Sequence, residues 1–163
     1  MEMPKPQAEH HWLHRLIGEW TAEMRCNMGP DQPPMVSTGR EIVRSLGGLW
    51  TIGEGTGEVP GSGGAMSYSI MTLGYDPASK QFVGSFIASV MTHLWVYHGT
   101  LDATSRVLTL DTEGPGFTGE GPLVKYQDII EFVTDDHRTL SSQTLGPDGK
   151  WVRFMEAHYH RVK

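Results

Sequence analysis

Trp20-Thr21-Ala22-Glu23-Met24-Arg25-Cys26-Asn27-Met28 decides the fold. Its even positions are apolar and its odd positions polar, a period of two. That spacing predicts a half-buried strand with Trp20, Ala22, Met24, Cys26 and Met28 facing inward. Immediately upstream the period is helical. Trp12, Leu13, Leu16, Ile17 and Trp20 fall on one side, with Pro4 and Pro6 before them and Gly18 after. This predicts a helix over 7–17, about three turns long and in need of a surface to lie on.

Downstream the two-residue pattern recurs. Strands are expected at about 35–46, 49–59, 66–75, 80–89, 93–101, 106–113, 124–134, 138–145 and 150–161. The stretches between them are hairpin chemistry: Tyr75-Asp76-Pro77-Ala78-Ser79-Lys80, Leu101-Asp102-Ala103-Thr104-Ser105, Thr134-Asp135-Asp136-His137 and Gly146-Pro147-Asp148-Gly149. Short links make neighbours antiparallel, since parallel pairing needs long crossovers. Two longer Gly/Pro-rich stretches, Val59 to Gly64 and Gly114 to Pro122, are candidate flaps at a barrel mouth. The expectation is an all-β, antiparallel up-and-down barrel of about ten strands with one N-terminal helix, occupying residues 1–163 as one domain. Closure removes the edge-strand hazard.

Composition narrows the function classes. The 163 residues are 38% hydrophobic and 20% charged, too apolar for a disordered chain. No apolar run reaches the ~18–20 residues of a membrane-spanning helix, so no membrane role is expected. Net charge is −6, with no Lys/Arg cluster, which argues against nucleic acid as a partner. Cys26 stands alone, so no internal disulfide or cysteine zinc cage is available. The opening, Met1 to Trp12, has no basic stretch leading into an apolar one, so no signal peptide is read and a cytoplasmic location is expected.

Leu13-His14-Arg15-Leu16-Ile17-Gly18-Glu19-Trp20 resembles the Leu-x-x-Leu-x-Gly-x-Trp opening of lipocalin-like barrels. Further blocks resemble a bacterial family known as domain of unknown function 1579: Leu46-Gly47-Gly48-Leu49-Trp50, Met71-Thr72-Leu73-Gly74-Tyr75-Asp76, Met91 to Tyr97, Gly99-Thr100-Leu101-Asp102, Glu113-Gly114-Pro115, Tyr126 to Phe132 and Tyr159-His160-Arg161. The resemblance covers essentially the whole chain. It implies a calycin-like β-barrel and no particular activity.

A barrel of this size can enclose one small ligand. In the strand at 93–101, His93, Trp95, Tyr97, Gly99 and Leu101 share one face and are read as inward, the wall of an amphipathic pocket. The competing reading packs Leu94 and Val96 inside and leaves His93 on the surface. Asp128 shares the more apolar face of its strand with Tyr126, Ile130 and Phe132, so it points inward. A buried carboxylate needs a partner; His93, Arg40, Arg44 and the neighbours of the Tyr126 hydroxyl are candidates. A ligand anchor and a structural pair both fit.

Other chemistry is thinner. His10, His11 and His14 crowd the helix and are read as a solvated face, not a metal site. His158 and His160 share a face with Glu156, opposite Met155, Ala157 and Tyr159. The second set looks like core, which turns the histidines outward and disfavours haem ligation. Cys26 is read as inert packing, and no serine sits in a GxSxG elbow. Gly53, Gly55 and Gly57 alternate on one strand face, where coiling is the favoured reading. The leading hypothesis is a barrel binding a small, partly apolar molecule, lined by Trp20, Met24, Trp50, His93, Trp95 and Tyr126 with Asp128 as polar anchor. No metal or cofactor is expected. The rivals are an enzyme using His93 and Asp128 for acid–base chemistry, and a filled barrel acting as an interaction or oligomerisation module, for which a homo-oligomer is one form.

Overall fold

In a computed structural model, which describes residues 1–27 and 29–163, the alternation builds ten strands. They are β1 Gly18–Cys26, β2 Met35–Leu46, β3 Trp50–Glu58, β4 Met66–Asp76, β5 Gln81–Ala88, β6 Trp95–Leu101, β7 Val107–Gly114, β8 Val124–Thr134, β9 His137–Leu145 and β10 Trp151–Arg161. Each pairs antiparallel with the next, and β1 closes on β10 with Trp20 opposite Arg161 and Cys26 opposite Met155. This is the expected up-and-down barrel. Met28, expected on the inward face of β1, lies outside the described residues. Among the described residues no helix is long and apolar enough to cross a membrane.

The helix is shorter than 7–17. α1 spans Ala8–Leu13, and His14–Leu16 tighten into a 3-10 turn. The chain must bend there to enter β1, and the bend is held from outside. The Arg161 guanidinium donates to the Ile17 carbonyl at 2.6 Å and to the Arg15 carbonyl at 2.8 Å, taking up acceptors a helix end leaves free. At the other end the Gln7 N–H donates to His10 Nδ1 at 2.9 Å. His10 is buried, its ring edge-on to Tyr75, so the expected solvated histidine face is corrected at that residue. Local capping required it there; helical spacing alone could not reveal that.

Six helical residues are too few to persist alone. They hold because Trp12, Leu13 and Leu16 are buried in the end of the barrel among Val43, Leu73, Phe82, Leu108 and Phe132. Each such side chain contributes about 1.5–3 kcal/mol against exposure. Trp12 meets Phe82 and Phe132 edge-on, and its indole N–H donates to the Ser105 carbonyl at 2.6 Å. One end of the barrel is therefore a filled apolar core with the helix as its stopper. The register places the other residues. A row runs Trp20–Glu41–Gly55–Ser69–Ala88 across β1 to β5, all on the inner face.

Candidate functional site

Above the apolar base lies a layer of buried polar groups. On one side, β8 brings Asp128 opposite Ser142 of β9, while Tyr97 reaches it from β6. The Tyr97 hydroxyl donates to Asp128 Oδ2 at 2.5 Å and the Ser142 hydroxyl to Oδ1 at 2.6 Å. Burial raises the Asp128 carboxyl above the usual carboxylate range, and the two hydroxyls pull it partly back. Tyr97 is pushed well above its ordinary value, by burial first and then by the Asp128 charge, so it stays a donor. Leu110 and Ser142, which flank Asp128 on the neighbouring strands, are both buried, so Asp128 lies on the inner face of β8. None of the expected partners is the real one. Arg40 and Arg44 point outward, Arg44 toward Glu54 at 3.8 Å.

On the other side of the layer is a pair that the sequence reading missed. Arg138 of β9 is 3% exposed and donates through Nη2 to Oε1 of Glu41 on β2. Its guanidinium lies against the Trp20 ring, 4.6 Å from the centroid, and the Tyr159 ring, 4.1 Å away. Gly53 makes room for Glu41: a Cβ there would stand 2.8 Å from Oε2. Burial and the Glu41 charge raise Tyr159 far above its usual range, while the positive charge of Arg138 pulls the other way. Beside the pair is a cavity of about 20 Å³, lined by Glu41, Thr51, Gly53, Met71, Leu73 and Arg138 among others. That is room for about one water.

Beyond this layer the inward positions are less buried. Met24, Gly39, Gly55, Ser69, Met71 and Ala88 point inward yet remain half-buried. On the facing wall, Trp95 lies flat on Gly114, where a Cβ would come within 2.1 Å of its ring. Trp95 meets Tyr126 edge-on at 5.1 Å, and Tyr126 meets Phe154 at 6.0 Å. Phe117, from the loop after β7, touches both Tyr126 and Phe154. The Tyr126 hydroxyl donates to the Pro115 carbonyl at 2.5 Å, tying that loop to the wall.

The structure thus places Met24, Trp95, Tyr126 and Asp128 on the inner face. Trp20 is also inside, but fully buried in the filled half, where it stacks on Arg138 and Arg161 and does not line the less buried half. Trp50 is corrected: it lies on the outer face, 40% exposed, across Gly74. Its strand alternates the other way, with Thr51, Gly53, Gly55 and Gly57 inside. The glycine face, having no side chains to weigh, was the inner one. His93 precedes β6 and sits at the rim, edge-on to Trp95, its Nε2 at 2.9 Å from the Glu113 carbonyl oxygen. The Trp95–Tyr126 layer stands between His93 and Asp128, so the two do not form a pair.

Cys26 faces the lumen near the mouth, half-buried, and burial pushes its thiol up. His158 and His160 face outward. His158 Nδ1 meets His137 Nε2 at 2.9 Å, and His137 stacks on His160 at 4.3 Å. Tyr159 points inward between them. Among the described residues no three His, Cys, Asp or Glu side chains are grouped to hold a metal ion.

A family model described as "Protein of unknown function (DUF1579)" matches residues 5–161. No curated protein matches the sequence. Among solved structures, the barrel is similar to that of Rv2717c from M. tuberculosis, with a TM-score of 0.66 and 14% identity over 98% of this chain and 100% of that one. It is also similar to the S-type phycobiliprotein lyase CPES from Guillardia theta, with a TM-score of 0.58 and 13% identity over 96% of this chain and 94% of that one. At such identities the likeness is one of fold.

Proposed function

This chain belongs to the DUF1579 family, and from that premise and the partly buried inward positions near the mouth we propose that it binds a small, partly apolar molecule in the lumen. One observation carries this. The inward faces of β1 to β5 near the mouth stay half-exposed, while the inward faces near α1 are filled by the protein's own side chains. Apolar walls with a few convergent polar groups are what a small-molecule site requires. Met24, Met71, Phe86 and Trp95 would cover the ligand's apolar body, and Asp128 would accept a hydrogen bond from its polar end. His93 would stand at the entrance and contribute no acid–base chemistry with Asp128.

Native mass spectrometry of protein purified from its own host tests the reading. A retained mass of one small molecule, lost on denaturation and weakened by Asp128→Asn, is the expected result. An Asn variant with full affinity for that molecule would remove Asp128 from the site. A chain that carries nothing and binds no apolar fluorophore would end the proposal.

A second reading has its own observation. Tyr68, Ile70, Ile87 and Val96 are large, apolar and exposed, and β4, β5 and β6 carry them on the outer face, with exposed Leu94 just before β6. Such a patch suits contact with another protein surface. Light scattering across a concentration series, on the native chain and on Ile87→Lys, would detect self-association through it.

A further inference from the structure

We infer that the cavity beside Arg138 and Glu41 is a second polar subsite of the lumen, one that takes a neutral hydrogen-bond acceptor such as a ketone or amide carbonyl. The inference rests on the proposal that the lumen binds a small molecule, and it adds the chemical class of the ligand's deep end.

Three observations lead there. First, the Nε–H of Arg138 finds no acceptor among the described residues, although Arg138 is 3% exposed. A buried donor left unpaired is costly, so a group from outside the chain is called for at that point. Second, Arg138 lines a cavity of about 20 Å³, room for about one heavy atom such as a carbonyl oxygen. Third, the cavity lies toward the less buried half of the barrel. Its lining residue Glu41 belongs to the row of Gly55 and Ser69, which are half-buried, and its lining residue Met71 is itself only half-buried.

Charge then selects among acceptors. The guanidinium already has a carboxylate partner in Glu41. A ligand carboxylate would be a second anion beside the one cation that lines the cavity, moved out of water to get there. A ligand ammonium offers no lone pair to an N–H donor. A neutral carbonyl oxygen avoids both faults. It accepts from Nε–H, adds no charge, and fits the available volume.

The test uses three naphthalenes of similar shape: 2-acetylnaphthalene, 2-ethylnaphthalene and 2-naphthoate. Binding is followed by quenching of tryptophan fluorescence. The ketone is expected to bind about tenfold more tightly than the hydrocarbon, a difference of about 1.4 kcal/mol, and the carboxylate more weakly than the ketone. In the double variant Glu41→Met with Arg138→Met, an apolar replacement of the whole pair of the kind that buried pairs tolerate, the ketone should lose that advantage and the hydrocarbon should keep its affinity. A crystal structure of the ketone complex should place the carbonyl oxygen within hydrogen-bond distance of Nε. Equal binding of ketone and hydrocarbon, tightest binding of the carboxylate, a preference that survives in the double variant, or a water at Nε in the ketone complex would each overturn the inference while leaving lumen binding intact. Failure of all three probes to bind would refute lumen binding itself, and this subsite with it.

Discussion

Acidification should stabilise the native protein relative to its Asp128→Asn variant. Asp128 is held by two hydroxyl donors, yet burial outweighs them and its carboxyl is raised above the usual value. An acid whose folded pKa lies above its unfolded value binds its proton more readily in the native state. Its contribution to stability is fully present below the unfolded pKa, about 3.9, and is lost as pH rises through the folded one. Each unit of upward displacement is worth about 1.4 kcal/mol across that window. The Asn side chain does not titrate, so the difference between the two proteins isolates this one group from the other carboxylates. Tyr97 does not intrude, since it titrates far above the window. Urea unfolding at pH 7 and at pH 4 should therefore show the native chain gaining on the Asn variant as pH falls. Asp128→Ala acts differently. It removes the acceptor and leaves the Tyr97 and Ser142 hydroxyls without one, at about 1–3 kcal/mol each, partly offset by no longer burying a charge. It should be the less stable of the two variants at pH 7. If the native chain instead loses ground to Asp128→Asn on acidification, Asp128 is stabilised as a carboxylate and the argument from burial is wrong.

Gly114→Ala would set a Cβ within 2.1 Å of the Trp95 ring, and should cost about 1–3 kcal/mol with a change in tryptophan emission; unchanged stability and emission would mean Trp95 does not rest there. Cys26 should react more slowly with a thiol reagent in the native state than after unfolding, and its reactivity should set in at higher pH than for a free cysteine, because burial raises its thiol. Equal rates in both states would show that β1 is in the wrong register. The purified protein should show no Soret band and no stoichiometric zinc or iron; a one-to-one content of either would make ligands of His137, His158 or His160.

The barrel was legible because its signals are local. Alternation such as Trp20-Ala22-Met24 and turns such as Gly146-Pro147-Asp148-Gly149 depend on near neighbours alone, and each local choice agrees with the next. The inward placement of Asp128 and Trp95 followed from the same rule. What escaped depended on closure. Arg138 and Glu41 are 97 positions apart, on strands that meet only across the lumen, and neither strand says how far its side chain reaches. Arg138 even reads as an exposed cation until the Trp20 and Tyr159 rings are seen against it. Trp50 escaped because Gly53, Gly55 and Gly57 carry no side chains to mark their common face as the inner one. His93 continues the alternation of β6 beyond the point where the strand begins, so the right face led to the wrong depth.

The seam between β1 and β10 also bears on how the chain reaches this state. Arg161 bonds Ile17 from 144 residues away, and Trp20 is buried only when the final strand arrives beside it. Hairpins from β2 to β9 form between sequence neighbours and can assemble early, whereas this last pairing brings the largest loss of chain entropy. During synthesis β1 must wait, unpaired on one edge, until β10 has left the ribosome. Trp20 fluorescence should therefore report the slowest step of refolding, and any variant that weakens the seam should lengthen the time during which two bare strand edges are open to other chains.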